Sequence, residues 1–236
     1  MLLMLYGRVE RALARDRVSS EGTGAVPDVT IGFWTNRVLA AAGGGILGEA
    51  LNRIYLHRSE RVILALVLCF SGALVLRATT QQFRRATFWS AMFAASVLSA
   101  VLARTIDEAL GIGDPAATLQ IVPLLVLSFV ICYRKTGAFA ALTDRPVDEL
   151  FFWPISAIAQ TLGSALADWT VDPGGPGYGC ALTVIALGLL TTIALAFFTR
   201  LQRAALFWIA FLLTGIGAAL GAAYGYQILC GDWSMV

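Results

Sequence analysis

Seven long apolar stretches constrain this chain more than any other feature of its sequence. Each is close to the roughly 20 residues that a helix needs to cross a bilayer, and lipid offers no partner for unpaired backbone groups, so such spans are helical. They leave little of the 236 residues for a separate soluble domain. We therefore predict an all-α, polytopic membrane bundle over 28–236, with seven transmembrane helices at about 30–52, 61–78, 86–110, 116–134, 148–169, 180–199 and 204–228.

The distribution of Arg and Lys predicts the orientation of this bundle. Twelve of them lie in the N-terminal segment and in the second, fourth and sixth loops, whereas four lie on the opposite side. Because cytoplasmic loops carry the excess of positive charge, we expect a cytoplasmic N-terminus and, after seven crossings, a C-terminus outside. The net charge of +2 is too small and scattered to indicate a nucleic-acid partner.

Residues 1–27 form a predicted cytoplasmic segment of their own. Apolar residues recur there at helical spacing with arginines between them, which is typical of a short amphipathic helix on the inner leaflet. A solvated helix is the alternative. The Gly- and Ser-containing stretch from Ser19 to Pro27 is predicted to link this helix to the first span.

A repeated dipeptide marks every odd-numbered span. Phe-Trp occurs near the start of each at separations of 55, 64 and 55 residues: Phe33-Trp34, Phe88-Trp89, Phe152-Trp153 and Phe207-Trp208. Single interfacial tryptophans form an ordinary aromatic belt, but four identical pairs at a near-constant period indicate internal duplication of a two-helix unit.

Small residues follow each Phe-Trp pair at one-turn spacing. Such faces allow helix backbones to approach closely in lipid. In the fourth unit the pattern fits best if one residue has been lost. The predicted packing residues are Gly44 and Gly48, Gly163, and Gly217 with Gly221. The intervening spans are rich in Leu, Val, Ile and Phe, so we expect the odd helices to cluster inside and the even ones to face lipid.

These features carry a family resemblance over nearly the whole chain from Val26. Three stretches show it: Val26 to Thr30 leading into Phe33-Trp34, then Phe152 to Asp168, then Phe207 to Ala210. They resemble the repeat of a bacterial family of multi-pass membrane proteins of unknown function, whose units end in Gly-Asp. The resemblance implies a protein of the bacterial inner membrane and names no substrate.

The sequence departs from that family pattern at its acidic positions. The acid expected 16 residues after the Phe is present as Glu49 and Asp168, but Arg104 and the shifted Ala222 occupy the other two places. A site that requires four convergent carboxylates would be disabled in such a degenerate member. What is left is either a two-carboxylate site or a purely structural descendant.

Glu49, Asp168 and Arg37 are the predicted binding or transport residues, since ionisable groups in membrane spans usually face protein or water. The alternatives are that both acids are solvated near the outer surface and that Arg37 extends to the cytoplasmic headgroups. Gln160, Thr161 and Thr214 are expected to line the same path. Gln160 is equally consistent with a purely interhelical hydrogen bond.

Enzymatic chemistry has little support in this sequence. The single histidine, His57, lies in a short predicted loop, and none of the candidate nucleophiles has a recognisable base beside it. We therefore predict no enzyme, no metal and no cofactor.

Two functions remain open. The first is a transporter-like protein that moves a cation or small solute through the central four-helix cluster. The second is a non-catalytic accessory or scaffold subunit of a larger membrane complex. Expected partners are the lipid bilayer, other membrane subunits or further copies of the chain.

Overall fold

The computed structural model describes residues 29–55, 59–79, 85–110, 114–137, 139, 146–172, 174–199 and 202–230. This part of the chain contains seven α-helices and no strand: α1 (Ile31–Ile54), α2 (Ser59–Thr79), α3 (Arg85–Leu110), α4 (Asp114–Thr136), α5 (Pro146–Val171), α6 (Gly177–Phe198) and α7 (Arg203–Cys230). The predicted amphipathic segment 1–27, the predicted loop at His57 and the last six residues lie outside the described residues.

Five of these helices, α3 to α7, are long and apolar enough to cross a membrane. They indicate a membrane-embedded protein. α1 carries Asn36, Arg37 and Glu49 within its length, and α2 is bounded by Glu60, Arg61 and Arg77. These polar residues lower the hydropathy of α1 and shorten the uncharged part of α2.

The four odd-numbered helices form a closed ring. α1 packs on α3, α3 on α5, α5 on α7, and α7 returns to α1. We call these the inner helices. In this order α1 lies across the ring from α5, and α3 lies across from α7.

The remaining helices lie outside the ring. α2 packs on α3, α4 packs on α5, and α6 packs on α7. Their outward faces are apolar and exposed, as at Leu68 on α2, Leu127 on α4 and Leu190 on α6. The predicted division into inner helices rich in small residues and outer helices rich in bulky ones is confirmed by these contacts.

Thr30 begins α1 because its side-chain oxygen accepts a hydrogen bond from the Phe33 amide at 3.3 Å. This cap places the first Phe-Trp pair within the first turn of the helix.

Candidate functional site

The Phe-Trp pairs meet at one end of the ring and form a closed aromatic layer. Each Phe contacts the Trp of the next inner helix: Phe33 with Trp89, Phe88 with Trp153, Phe152 with Trp208, and Phe207 with Trp34, at centroid distances of 5.5, 5.4, 5.7 and 5.7 Å. Within each pair the rings are nearly perpendicular. All four Phe side chains are buried, so this layer closes the axis of the ring.

The next layer lies one helical turn beyond the aromatic layer. It contains the residue four positions after each Phe, namely Arg37, Met92, Ser156 and Phe211. All four are 0% exposed. A charged side chain thus occupies the interior of the ring at the same level as three uncharged ones.

Arg37 stacks on an aromatic ring, and its nitrogens have no hydrogen-bond partner among the described residues. Its guanidinium carbon lies 4.0 Å from the centroid of Phe211, and a Cβ on Gly215 would lie 3.2 Å from its Nη2. Among the described residues, no hydrogen-bond partner reaches Nε, Nη1 or Nη2 of Arg37. The snorkelling alternative predicted from the sequence does not fit this position, because the side chain is fully buried.

The energetics of this arrangement are unfavourable for the protein alone. A guanidinium stays charged in proteins and carries five N–H donors. Leaving a buried charge without a partner costs roughly 3–5 kcal/mol, whereas stacking on a desolvated aromatic ring returns about 2 kcal/mol. The interior of the ring therefore holds positive charge that the described residues do not neutralise.

A third layer, eight positions after each Phe, contains Ala41, Ser96, Gln160 and Gly215, all buried. The Ser96 hydroxyl lies within hydrogen-bond distance of two acceptors, Oε1 of Gln160 and, at 2.9 Å, the Met92 carbonyl of its own helix, and its contact with Gln160 joins α3 to α5. The amide nitrogen of Gln160 has a weaker partner, the thioether sulfur of Met92 at 3.7 Å. The interhelical bond that the sequence left open for Gln160 is thus present, and its N–H donors have only a weak acceptor.

Thr161 and Thr214 bond back to their own helices. The Thr161 hydroxyl donates to the Ala157 carbonyl at 2.9 Å, and the Thr214 hydroxyl donates to the Ala210 carbonyl at 2.7 Å. Such bonds use the hydroxyl proton within the helix. Neither residue therefore offers a free donor to the layers around Arg37.

Glu49 and Asp168 are not brought together. Glu49 accepts a hydrogen bond from Nε of Arg53 on the same helix at 3.0 Å, and its side chain is 23% exposed. Asp168 is half-buried near the end of α5 and interacts electrostatically with Tyr178 of α6. Glu49 thus bonds to Arg53 and not to Asp168, so these contacts do not form the predicted two-carboxylate site, and neither acid bonds to Arg37.

Gly44, Gly48 and Gly163 lie at close helix contacts. A Cβ on Gly44 would lie 2.5 Å from the Ser96 Cβ, and one on Gly48 would lie 2.6 Å from the Ala100 Cβ. A Cβ on Gly163 would meet the backbone of α7 at Ile216, 3.3 Å away. These glycines hold α1 against α3 and α5 against α7.

The fourth unit differs from the pattern read from the sequence. Gly217 is half-buried against Ile185 of the outer helix α6, and Gly221 is exposed with no atom within 4 Å of a Cβ position. Ala218 and Ala222 are buried instead, at 11 and 15 residues after Phe207. These are the same spacings that Gly44 and Gly48 have from Phe33, so the buried small residues of α7 follow the Phe without the one-residue shift predicted from the sequence.

The described residues contain no group of three or more His, Cys, Asp or Glu side chains placed to hold a metal ion. Comparison of the chain with protein-family models, with curated proteins and with solved structures found no match. The family resemblance therefore stays a prediction, and the site must be interpreted from its own chemistry. What the ring offers chemically is an excess of hydrogen-bond donors around one buried positive charge.

Proposed function

We propose that this protein is a small multi-pass carrier of the bacterial inner membrane, built from a duplicated two-helix unit and moving a small solute through its ring of inner helices. Seven crossings with a cytoplasmic N-terminus are part of the proposal. The five apolar helices and the Arg and Lys distribution support it. The equivalent contacts of the four Phe-Trp pairs support the duplication.

The main support for this proposal is the complete burial of the Arg37 side chain inside the ring. Ionisable residues inside membrane helices are costly, and those in the interior of a bundle commonly mark a pathway. The other candidates of the sequence, Glu49 and Asp168, lie apart. A pathway through the ring must therefore pass Arg37.

The positive charge of Arg37 also limits which solutes could pass through the ring. A cation would be repelled by the guanidinium, and no described carboxylate bonds to it, so we propose a small solute that is not a cation. The aromatic layer closes the ring beside Arg37. Passage would require the inner helices to part at the Phe-Trp pairs.

Solute flux into vesicles that contain the purified protein tests this proposal. We expect uptake of at least one of chloride, nitrate, formate and glycine above that of protein-free vesicles, with at least a tenfold loss in Arg37→Met. Arg104→Met is the matched control, because Arg104 lies on the inner helix α3 with its side chain 43% exposed. Uptake equal to that of protein-free vesicles for all four solutes would contradict the proposal.

An accessory or scaffold subunit is the second candidate. Among the described helices, α3, α5 and α7 each pack on the outer helix that precedes them, whereas α1 has no such companion. Its exposed apolar residues include Ile31, Leu39 and Ile54. Purification in a gentle detergent separates the two functions: a stoichiometric companion protein favours a subunit, and a homogeneous preparation of this chain favours a carrier.

A further inference from the structure

The interior of the ring has the features of a site for an anion. The guanidinium of Arg37 is fully buried, and its nitrogens have no hydrogen-bond partner among the residues described. One face of the guanidinium is covered by the Phe211 ring at 4.0 Å. Since the N–H groups lie in the guanidinium plane, stacking leaves its edge available to an acceptor.

The layer of Ala41, Ser96, Gln160 and Gly215 forms the other side of this site. Nη2 of Arg37 lies at the level of Gly215, whose missing side chain leaves room for it on α7. Across the ring, the Gln160 amide has a thioether as its acceptor at 3.7 Å. The N–H donors of Arg37 and of Gln160 therefore lie in one layer, on opposite inner helices. The Arg37 donors have no acceptor among the described residues, and the Gln160 amide has only the Met92 sulfur.

The nearby carboxylates are engaged elsewhere. Glu49 lies on the same helix as Arg37, about 18 Å further along its axis, and pairs with Arg53. Glu149 pairs with Arg77 and accepts a hydrogen bond from the Trp153 indole at 3.2 Å. Glu149 also precedes Phe152, whereas Arg37 follows Phe33, so the aromatic layer separates the two. No described carboxylate, the buried Asp148 included, bonds to the Arg37 nitrogens.

We propose that Arg37, assisted by the amide nitrogen of Gln160, binds one small monovalent anion inside the ring. A single guanidinium balances a single negative charge. Its planar fork favours a small oxyanion or carboxylate, such as nitrate or formate, over chloride. This anion site rests on the proposed function, because it names the class of solute that the proposed carrier would bind in its ring.

Thermal unfolding of the purified protein in detergent tests the site without requiring transport. Gluconate, which is too large for the buried layer, is replaced stepwise by nitrate, formate or chloride at constant ionic strength. A ligand that binds the folded state raises the unfolding temperature in a saturable manner. We expect this rise for wild type and Arg104→Met, and at least a tenfold weaker apparent affinity in Arg37→Met.

Arg37→Lys provides a second arm if the methionine variant does not fold. Lysine keeps the charge but lacks the planar fork, so we expect the preference for nitrate and formate over chloride to be lost. An unchanged saturable rise in Arg37→Met, an unchanged order of anions in Arg37→Lys, or no saturable rise in wild type with any of the three anions would each overturn the site. Binding without flux would overturn the carrier alone, and flux without binding would overturn the site alone.

Discussion

At the scale of single residues, two positions show what the sequence could and could not predict. The costly placement of Arg37 in a span marks it as a candidate, but its neighbours Phe211 and Gly215 come from the far end of the chain. Local sequence therefore cannot distinguish burial from extension to the headgroups. The spacing of small residues correctly predicted that Gly44 lies at a close helix contact. The one-residue shift predicted for the fourth Phe-Trp helix was wrong, because Ala218 and Ala222 are the buried small residues there.

A valine at Gly44 is expected to destabilise the protein by about 3 kcal/mol, the upper part of the range for overpacked sites. The new side chain would overlap Ser96, and the Phe93 carbonyl and Val97 amide would also lie 3.1 Å from its Cβ, so α1 and α3 must separate. Gly221→Val is the matched control, since that position is exposed and open. Equilibrium unfolding in mixed micelles measures the free energy of unfolding of Gly44→Val and Gly221→Val. Equal stability of the two variants would count against the close contact at Gly44.

At the scale of helices, the outer elements occupy grooves between neighbouring inner helices. α2 packs on α3, while its Phe70 contacts Trp153 of α5 at 6.2 Å and its Arg77 bonds Glu149 of α5. In the same way α4 packs on α5, and its Phe129 contacts Trp208 of α7 at 5.2 Å. The length of the apolar stretches predicts these helices. Their positions against the inner helices depend on contacts between distant parts of the chain, so no local sequence pattern predicts them.

Phe70→Ala is expected to lower stability by about 2 kcal/mol or more, because it removes the aromatic side chain that joins α2 to α5. Leu68→Ala on the same helix is the control: Leu68 is 65% exposed on the outward face, and its loss should have little effect. Unfolding in micelles, monitored by tryptophan fluorescence, compares the two variants. A loss at Leu68 as large as the one at Phe70 would place α2 in a different orientation.

At the scale of the whole molecule, the inner helices form a closed ring with Arg37 inside it. The sequence predicts which helices are inner, because small residues and Phe-Trp pairs mark them. It does not predict their order around the ring, so it could not show that Glu49 and Asp168 lie on opposite helices. The closure between α1 and α7 is the least local feature, since it joins the first and last described helices.

A disulfide between Gly45→Cys and Ala222→Cys, in a background without the native cysteines, tests that closure most directly. A Cβ on Gly45 would lie 2.8 Å from the Ala222 Cβ, so a shift of about 1 Å brings the pair to the spacing of a disulfide. We expect mass spectrometry to find the linked peptides after mild oxidation, and none from Leu39→Cys with Ile209→Cys, which are exposed on the same two helices. A link in the second pair and none in the first would contradict the ring.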